Sequence, residues 1–167
     1  MPTFELVLGA LNRDGVRYVV VGGVAVVLHG HPRLTADLDL IVDLVPDQSR
    51  RAIESLTSLG LRPVVPVDPA AFSDPETRRA WRSEKHMEVF SLWDPHDPLH
   101  QVDLFIESPI EFEALWARSE IVSVGSTEAR IASIGDLIHL KRLSGRPQDV
   151  ADIEALREIE RAGQRDD

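Results

Sequence analysis

Residues 19–43 read VVVGGVAVVLHGHPRLTADLDLIVD. An apolar run, Val19 to Val21, meets the pair Gly22-Gly23. A second apolar run, Val24 to Leu28, stops at His29-Gly30, and a polar turn then carries Arg33 and Thr35. Asp37-Leu38-Asp39 opens the last apolar run. The pattern predicts strand, glycine turn, short helix, loop and second strand. Glycine removes the side chain where backbone must approach a ligand, and it permits positive φ. A helix starting at Gly23 would turn free N–H groups and the positive end of its dipole toward a phosphate. Alternate strand residues share a face, so Asp37 and Asp39 point one way while Leu38 and Leu40 face the core. Two carboxylates side by side repel each other, and a bound divalent cation would relieve that. Oxygen ligands in this number suit magnesium, which commonly bridges carboxylates and substrate phosphates. The stretch reads as a metal–nucleotide site.

Working outward, Thr3 to Asn12 has the spacing of an amphipathic helix, and Arg13-Asp14-Gly15 a turn. Arg17 to Val21 is a β-branched and aromatic run of the kind found in central strands. Asp47 to Leu59 reads as a helix with Gly60 at C′. Leu61 to Val67 could be a strand, but Pro63 and Pro66 confine it to an edge. Residues 68–85 give a weaker signal: a mobile loop, then a short helix from Pro75 to Trp81. Met87 to Trp93 and Gln101 to Glu107 read as a hairpin turning at Asp94-Pro95-His96-Asp97-Pro98. Ser108 and Glu111 have the spacing of a capping box, which predicts a helix to Ala117. One or two short strands are expected around Gly125. Helices are expected over Ser133–Leu143 and Pro147–Ala162, interrupted at Gly145-Arg146-Pro147, with Gln164 to Asp167 frayed.

The 167 residues suit about one domain with a real core. No apolar run is long enough to span a membrane, and the first residues lack the basic and apolar regions of a signal peptide. There is no cysteine, which removes disulfides and thiolate metal sites and makes zinc a poor candidate. A cytoplasmic location is the simplest expectation. The net charge of −10 opposes nonspecific nucleic-acid binding, though it leaves room for a local basic cleft. Lysine occurs only at Lys85 and Lys141.

The text Gly22 to Leu40, GGVAVVLHGHPRLTADLDL, resembles the signature of the DNA polymerase β-like nucleotidyltransferase superfamily, and is similar to AbiEii-type small bacterial nucleotidyltransferases. The resemblance returns at Gln101-Val102-Asp103-Leu104 and over Asp136 to Leu156. It implies an α/β fold: a mixed, mostly antiparallel sheet flanked by helices. A core over residues 1–132 would carry C-terminal helices, 133–163, that close the cleft. It also implies a magnesium-dependent transfer of a nucleoside monophosphate from a triphosphate such as ATP to an acceptor, with two ions and manganese as a substitute. tRNA or a protein would be the acceptor, and a toxin–antitoxin pair with a cognate antitoxin the setting. Val24 stands where many members carry a phosphate-contacting serine. That contact would have to come from backbone N–H groups, or from Thr35 or Arg33.

On this reading Asp37, Asp39 and Asp103 are the catalytic metal ligands. Asp103 lies between Val102 and Leu104, which face the opposite side. If its strand pairs beside Asp37 to Asp43, the three carboxylates converge. Gly22 and Gly23 would receive phosphates, and Arg33, Thr35 and Lys141 would neutralise the triphosphate. The resemblance places Lys141 and a downstream acid, Asp149 or Asp152, beside the nucleotide, where the acid could instead orient Lys141 or Arg33. Each feature also has a plainer reading: a solvated DxD edge, a tight glycine turn, surface arginine and lysine. Asp43 suits a turn or cap, and His29 suits a helix cap near the core. Trp81, if exposed, could stack a base. Two rivals remain: a small-molecule transferase of the antibiotic-modifying kind, and a catalytically weak nucleotide- or partner-binding module. A polar or acidic acceptor pocket would favour the first over RNA.

Overall fold

The structure is a computed structural model and describes residues 3–166. The chain begins with α1, Phe4–Arg13, capped by the Thr3 side chain. It continues through β1, Tyr18–Val21, α2, Gly22–Leu28, β2, Asp37–Val42, and α3, Pro46–Ser58. Next come the two-residue edge β3, Arg62–Pro63, a 3-10 turn, Pro69–Ser73, and α4, Pro75–Lys85. The hairpin β4, Val89–Asp94, and β5, Asp97–Phe105, leads to α5, Phe112–Arg118. A second hairpin, β6, Glu120–Val124, and β7, Thr127–Ile131, precedes α6, Ile134–Ser144, and α7, Pro147–Asp166.

All seven strands form one sheet in the order β3-β4-β5-β2-β1-β7-β6. The pairs β2–β5 and β1–β7 are parallel and the rest antiparallel. This is the mixed, mostly antiparallel sheet flanked by helices that the sequence led us to expect. β1 and β2 are central, which explains their near-continuous apolar text: all four residues of β1 are buried.

The period of two sorts the central strands into two faces. Leu38, Leu40, Val102, Leu104, Phe90 and Leu92 are fully buried on one of them. Phe72 and Trp81 stack on Phe90 there, with ring centroids 5.5 and 5.1 Å away. Trp81 is therefore a core residue, 6% exposed, and is not placed to stack a base. The same packing orders the segment expected to be a mobile loop. Phe72 is fully buried and pins the 3-10 turn, and Arg78 donates to the carbonyls of Phe72 and Leu44. α4 also runs a full turn beyond the expected end at Trp81.

Other differences are local. Glu111, not Ser108, caps α5: its carboxylate accepts from the N–H groups of Glu113 and Ala114, while the Ser108 hydroxyl donates to the carbonyl of Ile110. A carboxylate at a helix start satisfies free N–H groups better than a serine three residues earlier. α7 extends to Asp166, past the expected fraying point at Gln164; Asp167 lies outside the described residues. His29 is the C-cap of α2, and its Nε2 lies 2.8 Å from the carbonyl of Ala132. Asp43 accepts from the N–H of Val45 and pairs with Arg17 at 2.6 Å, a turn role.

Candidate active site

The face opposite the Leu38–Leu104 core carries the acids. Parallel pairing sets Asp39 beside Asp103 and Asp37 beside Gln101. Ser91 of β4 is the register partner of Asp103 from its other side. Antiparallel pairing sets Val21 opposite Asp39, which brings the glycine turn directly to that carboxylate.

Gly22 has φ +66, and a Cβ there would lie 2.1 Å from Asp39 Oδ2. Any side chain would collide with the acid and strain the backbone. At Gly23 a Cβ would lie 2.7 Å from Thr35 Oγ1 and 2.8 Å from Arg33 Nη2. The pair is required twice over: Gly22 makes room for Asp39, and Gly23 for the polar loop folded back over the start of α2.

A cavity of about 560 Å³ opens on this face. Gly22, Asp39, Asp103 and Lys141 line it, with Arg146 and Asp149 from the α6–α7 turn. Arg82, Glu88 and Glu107 also line it, and Arg82 and Glu107 pair at 2.7 Å. Asp37, Gly23, Arg33, Thr35 and Asp152 are not part of the lining.

Burial, and then the negative charges of Asp103 and Asp37, push the Asp39 pKa up to about 7, against the opposing pull of Arg146 and Lys141. Asp103 is also raised, by burial first, while a hydrogen bond from Ser91 holds it down in part. Its Oδ1 is buried and has no hydrogen-bond partner among the described residues. Among the described residues, no three acids or histidines already converge closely enough to hold a metal ion.

The cations are held by two buried acids, Asp149 on the cavity lining and Asp152 outside it. Lys141, only 6% exposed, donates to Asp152 Oδ2 at 2.7 Å and to Asp149 Oδ1 at 3.5 Å. Arg33 Nη2 donates to Asp152 Oδ2 at 3.1 Å. Its Nε lies 3.1 Å from Asp152 Oδ1 but is not aligned as a donor. Asp149 accepts from the Arg146 N–H at 3.0 Å and from its Nε at 3.1 Å. Burial works against ionisation of Asp149, yet these bonds leave its pKa below the ordinary value. Sequence reading did not single out Ser91, Arg146, Glu88 or Glu107. Ser91 shows only through strand register. Arg146 stands inside the Asp136-to-Leu156 text but has no side-chain periodicity to mark it.

This arrangement can receive an anionic ligand on the Lys141–Arg146 wall and hold a proton or cation on the Asp39–Asp103 wall. The chain belongs to the family described as nucleotidyltransferase of unknown function (DUF6036), matched over residues 5–161. It is thus a nucleotidyltransferase. No curated protein matches it. Among solved structures it is similar to the lincosamide antibiotic adenylyltransferase LnuA in a lincomycin-bound crystal, with a TM-score of 0.61, 18% identity, and 94% of this chain and 98% of that one covered. It is also similar to ANT(2″)-Ia in complex with adenylyl-2″-tobramycin, at 0.59 and 13%, covering 97% and 94%. An antigenic nucleotidyltransferase-like protein from Paracoccidioides brasiliensis follows at 0.54 and 18%, covering 91% and 73%. At these identities the structural likeness speaks for the fold alone. No helix among the described residues is long and apolar enough to cross a membrane.

Proposed function

We propose that this chain transfers a nucleoside monophosphate from a nucleoside triphosphate to an acceptor hydroxyl, with Asp39 and Asp103 at the reacting centre. The observation that carries this is the buried Asp103 Oδ1, without a hydrogen-bond partner among the described residues, set in register beside Asp39 on a cavity that Lys141 and Arg146 also line. The donor set fits magnesium, or manganese in its place. Magnesium needs only one or two protein carboxylates, because waters and substrate phosphates complete its shell. Asp39 and Asp103 would hold it, with Asp37 as a third acid whose charge already acts on both. When bound, it would polarise the phosphoryl oxygens and neutralise charge on the leaving pyrophosphate.

The acceptor oxygen attacks the α-phosphorus. A new P–O bond forms, and the bond to the pyrophosphate oxygen breaks. Asp103 Oδ1 accepts the proton that leaves the acceptor hydroxyl. Lys141 and the bare backbone of Gly22 face the phosphates from the cavity wall, while Arg33, Thr35 and Asp152 keep Gly23 and Lys141 in place. Val24 supplies no hydroxyl, so the glycine turn contributes through its backbone alone.

Two acceptor readings have separate support. The AbiEii-like text from Gly22 to Leu40 supports a macromolecular acceptor, tRNA or protein, and a toxin held by a cognate antitoxin. Glu88 on the cavity lining, where Glu107 is already paired with Arg82, and a net charge of −10 support a small polyhydroxyl or cationic acceptor instead. The antibiotic acceptors of the structural neighbours accord with the second. The test offers α-labelled ribonucleoside triphosphates with bulk tRNA, with lysate protein, or with an aminoglycoside and a lincosamide. Label on the small molecules alone supports the second reading, and label on tRNA or protein supports the first. No label on any acceptor, with nucleotide bound, reduces the chain to a binding module.

A further inference from the structure

The α6–α7 turn puts an arginine on the cavity wall that the transfer scheme above leaves unused. Gly145 ends α6 in the left-handed conformation at φ +66, and Pro147 starts α7, so the backbone at Arg146 is fixed on both sides. Asp149 then accepts from the Arg146 N–H, the reciprocal bond of a helix cap. That anchor does not involve the side chain. The guanidinium rests on the same carboxylate through Nε at 3.1 Å and, more weakly, Nη2 at 3.5 Å, while its side chain stays 70% exposed. It faces the same cavity as Gly22, Asp39 and Asp103. Its charge is felt at Asp39, whose pKa it draws down.

Lys141, the other cation of this wall, is different. It is buried and committed to Asp149 and Asp152 together. An incoming polyphosphate meets one cation that is fixed and one that can turn. If the guanidinium leaves Asp149, that acid still has the Arg146 N–H and Lys141, so the rearrangement leaves no buried charge unpaired. A planar guanidinium then offers a forked pair of donors that matches phosphate oxygens.

We propose that Arg146 is a polyphosphate-binding residue that exchanges Asp149 for the triphosphate of the bound nucleotide. This rests on the nucleotidyl-transfer reading above. The alternative is that the side chain only reinforces the start of α7, a role the backbone N–H already fills.

The test titrates the full chain, with magnesium, against each of the four ribonucleoside triphosphates, inorganic tripolyphosphate and the four nucleosides. Arg146→Ala, Arg146→Lys and Arg142→Ala are compared with wild type. Arg142 is exposed on the neighbouring turn and outside the cavity lining, so it controls for general charge. Arg146→Ala is expected to weaken triphosphate and tripolyphosphate about tenfold or more, with nucleoside binding and melting temperature unchanged. Arg146→Lys should recover part of the loss, and Arg142→Ala should stay within about twofold of wild type. Equal affinities in wild type and Arg146→Ala would overturn the proposal and leave nucleotidyl transfer standing. Equal losses of nucleoside and triphosphate would also overturn it, as a structural effect. If wild type binds neither a triphosphate nor tripolyphosphate, the transfer reading fails and this proposal fails with it.

Discussion

Asp39 and Asp103 are register partners across the parallel strands β2 and β5, so two carboxylates stand side by side on a half-buried wall. Burial and this proximity place the Asp39 pKa at about 7, above its ordinary 3.8. A carboxyl raised in the folded state costs nothing while both states are protonated, and costs most once both are ionised. Its destabilising effect therefore grows as pH rises from about 4 to about 7, at up to about 1.4 kcal/mol per pH unit. Asp39→Asn should gain stability relative to wild type across that window, and magnesium should narrow the gap above pH 7. Denaturant unfolding from pH 5 to 8 measures both. A difference that does not change with pH would contradict the account.

Gly22 carries a heavier constraint than Gly23. At Gly22 a methyl group meets both a left-handed backbone and the Asp39 carboxylate, whereas at Gly23 it meets the movable ends of Thr35 and Arg33. Gly22→Ala should cost more than about 1 kcal/mol from the backbone alone and abolish transfer by displacing Asp39. Gly23→Ala should cost less and leave measurable turnover. Thermal melting and initial rates on the two variants check the order.

Asp152 joins the polar loop to the C-terminal helices through Arg33 and Lys141. Asp152→Ala strands Arg33 and leaves Lys141 with Asp149 alone, and should destabilise by about 3 kcal/mol, the lower end for a broken buried pair. Lys141→Met in that background should recover part of the loss. A double-mutant cycle by urea unfolding measures the coupling, and strict additivity would show that the pair is not coupled.

How far the sequence discloses this site depends on whether a feature is local. The Gly22–Asp39 text carries its own geometry, since a glycine turn and strand parity act over neighbouring residues. Asp103 could be matched to it because Val102 and Leu104 fix which way the acid points. Phe72 could not be read as an anchor, because its partner Phe90 lies on a strand 18 residues away and Pro- and Ala-rich text conceals the pairing. Ser91 and the acids Glu88 and Glu107 of the cavity lining depend on the β4–β5 register, which local patterns do not encode. The capping residue of α5 was misplaced for a related reason: Ser108 has the right spacing, but Glu111 accepts the free N–H groups directly.

His86 caps α4 with φ 53, a left-handed conformation unusual for a residue with a side chain. His86→Gly should raise stability by about 0.5–1 kcal/mol. Chemical denaturation checks the sign. A loss would mean that the imidazole makes a contact worth more than the strain.

On the proposed reading this chain transfers the α-phosphoryl group of a nucleoside triphosphate with its nucleoside, using the Asp39–Asp103 pair. Parallel reactions with α-labelled and γ-labelled triphosphates and magnesium, over the acceptor panel above, test it most directly, with Asp39→Asn and Asp103→Asn alongside wild type. Wild type is expected to transfer the α-label to an acceptor and release the γ-label as pyrophosphate, and either asparagine variant to lower the rate by orders of magnitude while still folding. Equal rates in wild type and both variants, or γ-label appearing as orthophosphate without α-transfer, would contradict it.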